Sequence, residues 1–478
     1  MFDLTITLQE NKDLPLYEQL YRAIVRQIQA GELKAGEKLP SKRFLCQHLT
    51  ISHSTVETAY GLLMAEGYIE SLPRACYRVC EIIPMKRVAD HSVAESEEEK
   101  EVKQKRPGRQ QQLPEEKAPG LSFSTGAVDT KIFPYASWAK IYKEVIYQNP
   151  QLLQRGDAQG DWAFRQTLSL FLQEYRGVRC HARQIVVGAG MEYLLDLLLQ
   201  LFPHGSRVAL EDPGYSTAYR VVQSGGKIPV SIPLDEQGMD VGRLQRVGAD
   251  LAYVTPSHQF PMGITMPAGR RSQLLEWADT QGAWIIEDDY DSEFRYRSRP
   301  ISAMQGMDHA GRVVYIGTFS RSIAPSIRAA YMVLPEPLLE AFQKRFGRQA
   351  STISRFEQHA LERFIRQGLY LRHLRRSTNV YKKRMLTLKE KLMQIAPNGY
   401  VSGEEAGLHL LFHIPEVRET DVVLAAARRG LSVHGLSEYC HSQSVSKQEA
   451  VLVLGFAGLQ ETEMDQAVNI LQQSITCG

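Results

Sequence analysis

Hydrophobic residues near the start of the chain recur at the spacing of α-helices. Leu16, Leu20, Ile24 and Ile28 fall on one helical face, and glycines follow them closely. Ser41 comes next, where its side chain is well placed to cap the first turn of a second, short helix. The pattern therefore predicts two helices within the first 50 residues.

A third helix and a hairpin are predicted to complete this region. Hydrophobic residues between Val56 and Leu63 keep helical spacing, and Gly67 should end the helix. Residues 68–79 then alternate in the manner of a short hairpin. Three helices followed by a hairpin form the plan of a winged helix-turn-helix, so we assign such a domain to residues 1–80.

The composition changes abruptly between residues 81 and 120. This stretch mixes acidic and basic residues with glutamines and prolines, and it contains no Phe, Tyr or Trp. So few large apolar side chains cannot offset the conformational entropy that ordering would cost. We predict a flexible charged linker here; the alternative, a charged helix over residues 95–105, would still act as a spacer.

Strands and helices alternate from residue 121 onward. Apolar runs at residues 184–188, 251–255 and 313–317 are typical of strands, and amphipathic segments lie between them. This alternation predicts an α/β domain, residues 121–478, with a largely parallel sheet. Its last part, from about residue 355, mixes long helices with strands and predicts a smaller α+β subdomain.

Composition and charge mainly argue against certain classes of protein and site. The chain has 478 residues, 43% of them hydrophobic and 23% charged, which is the balance of a globular protein. Its net charge of +2 does not by itself indicate a nucleic-acid partner. We expect a cytoplasmic protein, because the sequence has no long apolar run and no signal-peptide pattern at its start. The close pair Cys76 and Cys80 lacks the further ligands of a zinc site, so we expect reduced thiols and no metal.

The stretch LPSKRFLCQHLTISHSTVETAYGLLMAEGYIE resembles the winged-helix domain of GntR-type regulators. The resemblance implies a recognition helix that reads base edges in the major groove, a preceding helix on the phosphate backbone and a wing in the minor groove. The implied base-reading residues are Ser52, His53, Ser54 and Thr55. The implied contacts to the phosphate backbone are Ser41, Lys42 and Arg43, and the implied wing residue is Arg74. The family usually has arginine in place of His53 and a wing glycine in place of Cys76, so affinity and sequence choice should differ. The alternative is a winged helix used for protein contacts.

Five motifs follow in order: VGAGMEYLL, EDPGY, TPSHQFPMG, IIEDDYDSEFRY and YIGTFSRSIAPSIR. Together they resemble the MocR/GabR regulators, in which a GntR winged helix is fused to a fold-type I aminotransferase-like domain. The resemblance covers essentially the whole chain. It implies a head-to-tail homodimer in which the winged helix of one subunit docks on the other, and a double-stranded DNA operator with two half-sites.

The resemblance also implies a site for pyridoxal 5'-phosphate (PLP). A carboxylate would keep the pyridine nitrogen protonated, a tyrosine would hydrogen-bond the ring phenolate, and an aromatic ring would stack on the pyridine. Backbone amides at a strand-to-helix turn, a threonine and an arginine would hold the phosphate. By motif match these residues are Asp288, Tyr290 and Tyr215 for the ring, and Gly190, Met191, Thr318 and Arg328 for the phosphate.

Arg321 stands where the family has the lysine that forms a Schiff base with PLP. A Schiff base needs a neutral amine, and a guanidinium stays protonated at any ordinary pH. We therefore expect PLP to be held non-covalently at most. Thr217 and Gly458 stand where related regulators often have arginines that bind an amino-acid carboxylate. Glu192 follows the phosphate turn, where its charge would repel a phosphate if it pointed inward.

The sequence thus predicts a DNA-binding transcription regulator whose aminotransferase-like domain senses PLP or a small amino-acid-like or anionic effector. Arg321 favours an anion, because it puts a fixed positive charge where an amine normally lies. The alternative is a PLP-dependent aminotransferase with an appended DNA-binding domain. Such an enzyme needs a base that moves a proton at the substrate α-carbon, and arginine is a poor base, so we expect no transaminase activity.

Overall fold

A computed structural model describes most of the chain. The described residues are 14–72, 76–80, 121–296, 301–442 and 449–476. The predicted linker at 81–120 and Arg74 of the predicted wing lie outside them. Within the described residues, no helix is both long and apolar enough to cross a membrane.

The first described region contains three helices and a small sheet. Its elements are α1 (Leu16–Gln29), β1 (Lys38–Leu39), α2 (Lys42–His48), α3 (His53–Ala65), β2 (Ile69–Leu72) and β3 (Cys76–Val79). The sheet is antiparallel in the order β1-β3-β2. Leu20, Ile24, Leu45, Val56 and Leu63 are fully buried in one core, which accounts for their helical spacing in the sequence.

Serine side chains begin two of these helices. Ser41 Oγ accepts a hydrogen bond from the Phe44 N–H at 3.2 Å, and Ser52 Oγ accepts one from the Thr55 N–H at 3.1 Å. Each bond satisfies an amide that has no partner within its own helix, which stabilises a helix by about 1 kcal/mol. The N-cap predicted for Ser41 is confirmed.

The chain resumes at residue 121 and builds a larger sheet. It begins with β4 (Leu121–Ser122), α4 (Tyr135–Gln148) and α5 (Trp162–Arg176). The strands of the large sheet are β5 (Ile185–Gly188), β6 (Arg207–Asp212), β7 (Ile228–Asp235), β8 (Gly238–Met239), β9 (Leu251–Val254), β10 (Trp284–Asp289), β11 (Val313–Thr318) and β12 (Ala330–Val333). They lie in the order β5-β12-β11-β10-β9-β6-β7-β8. The five strands from β11 to β7 run parallel, and β12 is antiparallel to both of its neighbours.

Helices cover both faces of this sheet. They are α6 (Met191–Leu199), α7 (Ser216–Ser224), α8 (Val241–Leu244), α9 (Ala268–Gln281) and α10 (Glu336–Phe346). Successive residues of β10 point to opposite faces: Ile286 shares a core with Leu195 of α6, and Ile285 shares another with Leu274 of α9. Because both faces are buried, β9 and most of β11 are continuous apolar runs in the sequence.

The last part of the chain forms a smaller subdomain. Its elements are α11 (Arg355–Arg366), α12 (Leu369–Ile395), β13 (Tyr400–Ser402), β14 (His409–Pro415), α13 (Glu419–Arg428), β15 (Leu431–Ser432), β16 (His434–Gly435), β17 (Glu449–Gly455) and α14 (Glu461–Thr476). The sheet is antiparallel in the order β13-β14-β17-β16. β15 pairs in parallel with β4, so the start of this domain also joins the subdomain.

The parallel strands of the large sheet end at one edge. Asp288 lies near the end of β10, and Thr318 ends β11. Gly190 connects β5 to α6 with φ at 101°, a backbone conformation that side chains disfavour. Ligands of open α/β sheets bind outside the carboxyl ends of the strands, so these residues are the natural wall of a site.

The winged helix contacts the large domain of its own chain. The Ala268 N–H at the start of α9 donates to the Glu66 carbonyl at 2.5 Å, and Ala268 joins the winged-helix core. The Glu66 side chain is buried there and accepts a hydrogen bond from the Tyr21 hydroxyl at 2.8 Å. Docking of the winged helix on a partner subunit, which the family resemblance implied, stays a prediction.

Candidate DNA-binding face and ligand pocket

The residues predicted to read bases lie at the start of α3. Ser52, His53 and Ser54 are exposed, and Thr55 is partly exposed. Ser52 Oγ lies 2.8 Å from both Ser54 Oγ and Thr55 Oγ1, so these hydroxyls hold one another in place. The four side chains therefore cluster at a helix N-terminus, where backbone N–H groups also attract phosphate.

The preceding helix, α2, presents charge beside this cluster. Arg43 is exposed, and the Ser41 hydroxyl serves as the N-cap. Lys42 Nζ lies 3.0 Å from Glu57 Oε1 of α3; this hydrogen bond raises the pKa of the lysine and lowers the pKa of the glutamate. Sequence reasoning missed Glu57, because only the packing of α2 on α3 brings the two side chains together. One of the two predicted backbone cations therefore already has an acidic partner.

A cavity of about 730 Å³ lies at the carboxyl edge of the large sheet. This volume is typical of small-molecule sites. The predicted sensor residues that line it are Met191, Tyr215, Asp288, Tyr290, Thr318, Arg321 and Arg328. Gly190 lies against the Arg328 guanidinium, whose Nη2 would be 2.5 Å from an added Cβ. The tertiary structure thus brings the separate motifs to one place.

Asp288 presents a buried carboxylate to the pocket. Its Oδ2 accepts a hydrogen bond from the Tyr253 hydroxyl, whereas its Oδ1 has no hydrogen-bond partner among the described residues. Burial raises the pKa of this carboxyl group to about 7, and the nearby carboxylates of Asp289 and Asp291 contribute to the rise. A buried oxygen without a donor is unfavourable, and a protonated ring nitrogen would supply one.

Aromatic side chains form the wall beside Asp288. Phe260 meets Tyr215 and Tyr290 edge-on, with ring centroids 5.9 and 6.0 Å away. Burial raises the pKa of both tyrosines, so their hydroxyls stay protonated and can donate hydrogen bonds. Flat rings in this arrangement suit a planar aromatic ligand.

Buried polar side chains lie behind Tyr290. His258 Nδ1 lies 3.0 Å from the Tyr290 hydroxyl and 3.0 Å from Asp291 Oδ2, and His409 Nε2 lies 2.9 Å from the Pro261 carbonyl. Burial, with a smaller effect of His258, lowers the pKa of His409 to about 4, so this ring is neutral. The two histidines and Asp291 are close enough to be candidate metal ligands, a grouping that sequence reasoning missed when it expected no metal. His258 Nδ1 holds the Tyr290 hydroxyl in place, whereas the buried His258 Nε2 has no hydrogen-bond partner among the described residues.

The predicted phosphate-binding turn is engaged by groups of the chain itself. The Gly190 N–H donates to the Gly188 carbonyl at 2.8 Å. Arg328 Nη2 lies 3.0 Å from Glu192 Oε2 and 3.3 Å from the Ala189 carbonyl. Glu192 therefore points toward the arginine that was predicted to bind phosphate.

Thr318 and Arg321 lie at the turn after β11. Thr318 Oγ1 accepts a hydrogen bond from the Ser320 N–H at 3.1 Å. The Arg321 guanidinium donates to the Thr125 carbonyl and acts to lower the pKa of Asp288, so it lies within electrostatic reach of that carboxyl group. A permanent positive charge thus occupies the middle of the pocket.

The pocket residues match the pyridine ring of PLP, but they match neither its covalent attachment nor its phosphate group. The ring end matches, because Asp288 has an unpartnered oxygen and Tyr215 and Tyr290 lie beside it. Covalent attachment does not match, since Arg321 has no amine that can lose its charge. The phosphate end is opposed by Glu192, whose carboxylate already holds the arginine.

Sequence reasoning missed several residues of the pocket. Arg220 Nη2 lies 3.0 Å from Thr217 Oγ1, so an arginine lines the pocket one helical turn beyond the expected position. The i, i+3 spacing in α7 could have revealed it. Gly458 has no room for an arginine, because an added Cβ would lie 2.5 Å from that of Ala127. Phe260 lies within the TPSHQFPMG motif but was not singled out. The other missed residues come from distant segments outside the motifs: Thr125, His434, Glu438, Tyr439 and His441.

Known proteins share this combination of domains. Residues 16–79 match the family of bacterial regulatory proteins called the gntR family. The chain is 35% identical to the uncharacterized HTH-type transcriptional regulator YdeL of Bacillus subtilis, with 98% of this chain and 99% of that protein covered. It is 32% identical to the probable rhizopine catabolism regulatory protein MocR of Rhizobium meliloti, with 98% and 95% covered. It is 28% identical to the pyridoxine biosynthesis transcriptional regulator PdxR of Corynebacterium glutamicum, with 100% and 99% covered.

Solved aminotransferases share the fold of the larger domain. The multiple substrate aminotransferase of Thermococcus profundus aligns with a TM-score of 0.67 at 24% identity, covering 76% of this chain and 92% of its own. The kynurenine aminotransferase of Pyrococcus horikoshii aligns with the same score and identity, covering 75% and 91%. At this identity the likeness shows the fold alone, and it confirms the predicted fold class. The chain therefore belongs to the MocR-type family of GntR regulators, which join a winged helix to an aminotransferase-like domain.

Proposed function

We propose that this regulator binds a double-stranded operator through its winged helix and senses a small effector in its aminotransferase-like pocket without a covalent bond. The effector would be PLP or another small amino-acid-like or anionic molecule. The observation that carries the proposal is that Arg321 lines the pocket. The family resemblance assigns this residue to the position of the lysine that forms the Schiff base. The Arg321 guanidinium can form ion pairs but cannot supply the neutral amine that attachment requires.

The ring end of the pocket supports an effector of the pyridine type. Asp288 Oδ1 would accept the ring N–H, the Tyr290 hydroxyl would donate to a phenolic oxygen, and Tyr215 would pack on the ring face. When bound, PLP supplies an electron-withdrawing ring and an aldehyde. One relative is named as a regulator of pyridoxine biosynthesis, which agrees with a ligand of this class.

We propose that the pocket senses its ligand and does not turn it over. A transaminase moves a proton with a side-chain amine, and Arg321 keeps its proton at any ordinary pH. Relatives that cover the full length of this chain are named as transcriptional regulators. A PLP-dependent aminotransferase with an added DNA-binding domain is the competing function.

The winged helix would deliver the response to DNA in the cytoplasm. Ser52, His53, Ser54 and Thr55 would enter the major groove, and Lys42 and Arg43 would contact the backbone. A head-to-tail homodimer would carry two such helices, so its operator would contain two half-sites as direct or inverted repeats.

Mass spectrometry tests the non-covalent assignment. The full chain is incubated with PLP and split, one half dialysed and the other reduced with borohydride. We expect the wild-type chain to lose PLP on dialysis and to gain no mass on reduction. Arg321→Lys should retain the mass of PLP after reduction, because it restores an amine, whereas Arg321→Gln, which has no amine, should not. Covalent PLP on the reduced wild-type chain would contradict the proposal and favour the aminotransferase. Native spectra of the same samples report the oligomeric state.

A further inference from the structure

The charged side chains that line the pocket should bind PLP and related pyridine compounds with different affinities. We propose that the pocket selects a pyridine-type ring that carries a carboxylate and lacks a phosphate group. This inference rests on the proposed function, since it places the effector in the same pocket. The preference follows from two charged parts of the pocket, the turn at Glu192 and the guanidinium of Arg321.

Two of the groups predicted to bind phosphate, Arg328 and the Gly190 N–H, are already engaged by groups of the chain itself. Glu192 lies in the first turn of α6, where the helix dipole stabilises a carboxylate, and its Oε2 lies 3.0 Å from Arg328 Nη2. The same guanidinium donates to the Ala189 carbonyl at 3.3 Å. The Gly190 N–H donates to the Gly188 carbonyl. A phosphate at this turn would have to displace a carboxylate that belongs to the chain.

The charge balance at the turn decides which ligand it favours. Glu192 and Arg328 cancel each other, so the turn offers little net attraction to a phosphate group of charge about −1.5 to −2. Their side chains are 43% and 51% exposed, and an exposed ion pair is weak by itself. The negative charge of Glu192 stays in the first turn even when the pair opens, and there it repels a phosphate. A ring without phosphate meets no such repulsion.

Arg321, in contrast to Glu192, attracts a negatively charged group of the ligand to the middle of the pocket. Its guanidinium donates to the Thr125 carbonyl and makes no ion pair with an acidic side chain in the described parts of the chain. Arg220 adds a second positive charge along the pocket wall. An aldehyde offers these groups one weak acceptor, whereas a carboxylate can accept two charge-assisted hydrogen bonds from one guanidinium.

Three probes that differ by single groups separate the two preferences. PLP has an aldehyde and a phosphate, pyridoxal has the aldehyde alone, and 4-pyridoxic acid has a carboxylate in place of the aldehyde and no phosphate. We would titrate the full chain with each probe by calorimetry. We expect 4-pyridoxic acid to bind about tenfold more tightly than pyridoxal, and pyridoxal more tightly than PLP.

Charge-removing variants assign each preference to its residue. Glu192→Gln keeps the size of the side chain, and it should raise the affinity for PLP about tenfold while leaving pyridoxal unchanged. Arg321→Gln should abolish the preference for 4-pyridoxic acid over pyridoxal. Glu174→Gln, an exposed site on α5, is the matched control and should change none of the three affinities.

The outcomes separate this inference from the proposed function. PLP that binds the wild-type chain as tightly as pyridoxal, or a Glu192→Gln chain with unchanged affinity for PLP, would overturn the exclusion of phosphate. Equal affinities for pyridoxal and 4-pyridoxic acid would overturn the carboxylate preference. In each of these cases a ring still binds, so the proposed pocket stands. If none of the probes binds the wild-type chain or its variants, the inference and the pyridine-binding pocket fail together.

Discussion

Buried carboxyl groups make the stability of the aminotransferase-like domain sensitive to pH. Burial raises the pKa of Asp288, Glu211 and Glu287 to about 7 each. A group whose pKa is raised in the folded chain takes up a proton on folding. Its stabilising contribution is therefore full below its unfolded pKa and is lost as the pH rises through its folded pKa.

Replacing one of these groups should stabilise the protein at high pH. Asp288→Asn removes a carboxylate that must ionise in a buried place, and the amide oxygen can still accept from Tyr253. We expect the free energy of unfolding to exceed that of the wild-type chain by about 2 kcal/mol at pH 8, and by less at pH 5. Urea denaturation at both pH values measures the difference. The exposed Asp279→Asn serves as control, and a less stable Asp288→Asn chain at pH 8 would refute the argument.

An ion pair joins α3, the predicted recognition helix, to α2, the helix before it. Lys42 of α2 is predicted to contact phosphate, yet its Nζ lies 3.0 Å from Glu57 of α3. The pair is exposed on the glutamate side, so it contributes little to the stability of the helices. Its main effect is that the Glu57 carboxylate neutralises the charge of Lys42 at the predicted DNA-binding face.

Freeing this cation should strengthen binding to DNA of any sequence. For Glu57→Gln we expect a higher affinity for random-sequence duplex DNA, and a plot of log affinity against log salt that is steeper by about 0.9, the value for one added phosphate contact. Fluorescence anisotropy at several salt concentrations measures both quantities. Glu276→Gln removes an exposed charge on the sensor domain and should leave the slope unchanged. A slope for Glu57→Gln that matches this control would show that Lys42 does not reach phosphate.

At the scale of the whole molecule, the winged helix contacts the aminotransferase-like domain around Glu66. Glu66 is buried there, and its carboxylate accepts a hydrogen bond from the Tyr21 hydroxyl at 2.8 Å. Burial raises the pKa of Glu66, and Arg271 of the sensor domain opposes the rise. The Glu66 carbonyl also receives the Ala268 N–H of α9. The orientation of the recognition helix is therefore tied to the sensor domain.

Loss of one hydroxyl should destabilise the winged helix beside this contact. Tyr21→Phe leaves the buried Glu66 carboxylate without this donor, at a cost of about 1–3 kcal/mol. We expect the winged helix to unfold several degrees earlier in scanning calorimetry, while the transition of the sensor domain stays in place. Tyr147→Phe removes an exposed hydroxyl and is the control. If the Tyr21→Phe chain unfolds at wild-type temperatures, the hydrogen bond does not stabilise the winged helix.

Local patterns in the sequence were sufficient to predict the secondary-structure elements and the protein family. Ser41 was predicted as an N-cap because capping acts over three residues, and the periodicity of Leu20 and Ile24 predicted α1 because a helix repeats every 3.6 residues. The order of five motifs predicted the fold class, which the comparisons confirm. The chemical consequence of Arg321 also follows from residue type alone, since no environment gives a guanidinium a free amine at ordinary pH.

The tertiary structure alone decided how the charges pair. Glu192 and Arg328 are 136 residues apart in sequence, and Lys42 and Glu57 are 15 apart, so no local pattern announces either ion pair. Arg220 enters the pocket because α7 packs beside it, and residues near 434–441 enter because the small subdomain folds back over the sheet edge. Periodicity and capping act between neighbours along the chain, whereas ligand selection depends on charges that meet only after folding. The sequence by itself therefore determined the architecture and the fixed charge of Arg321, and the fold decided which charged side chains pair with one another.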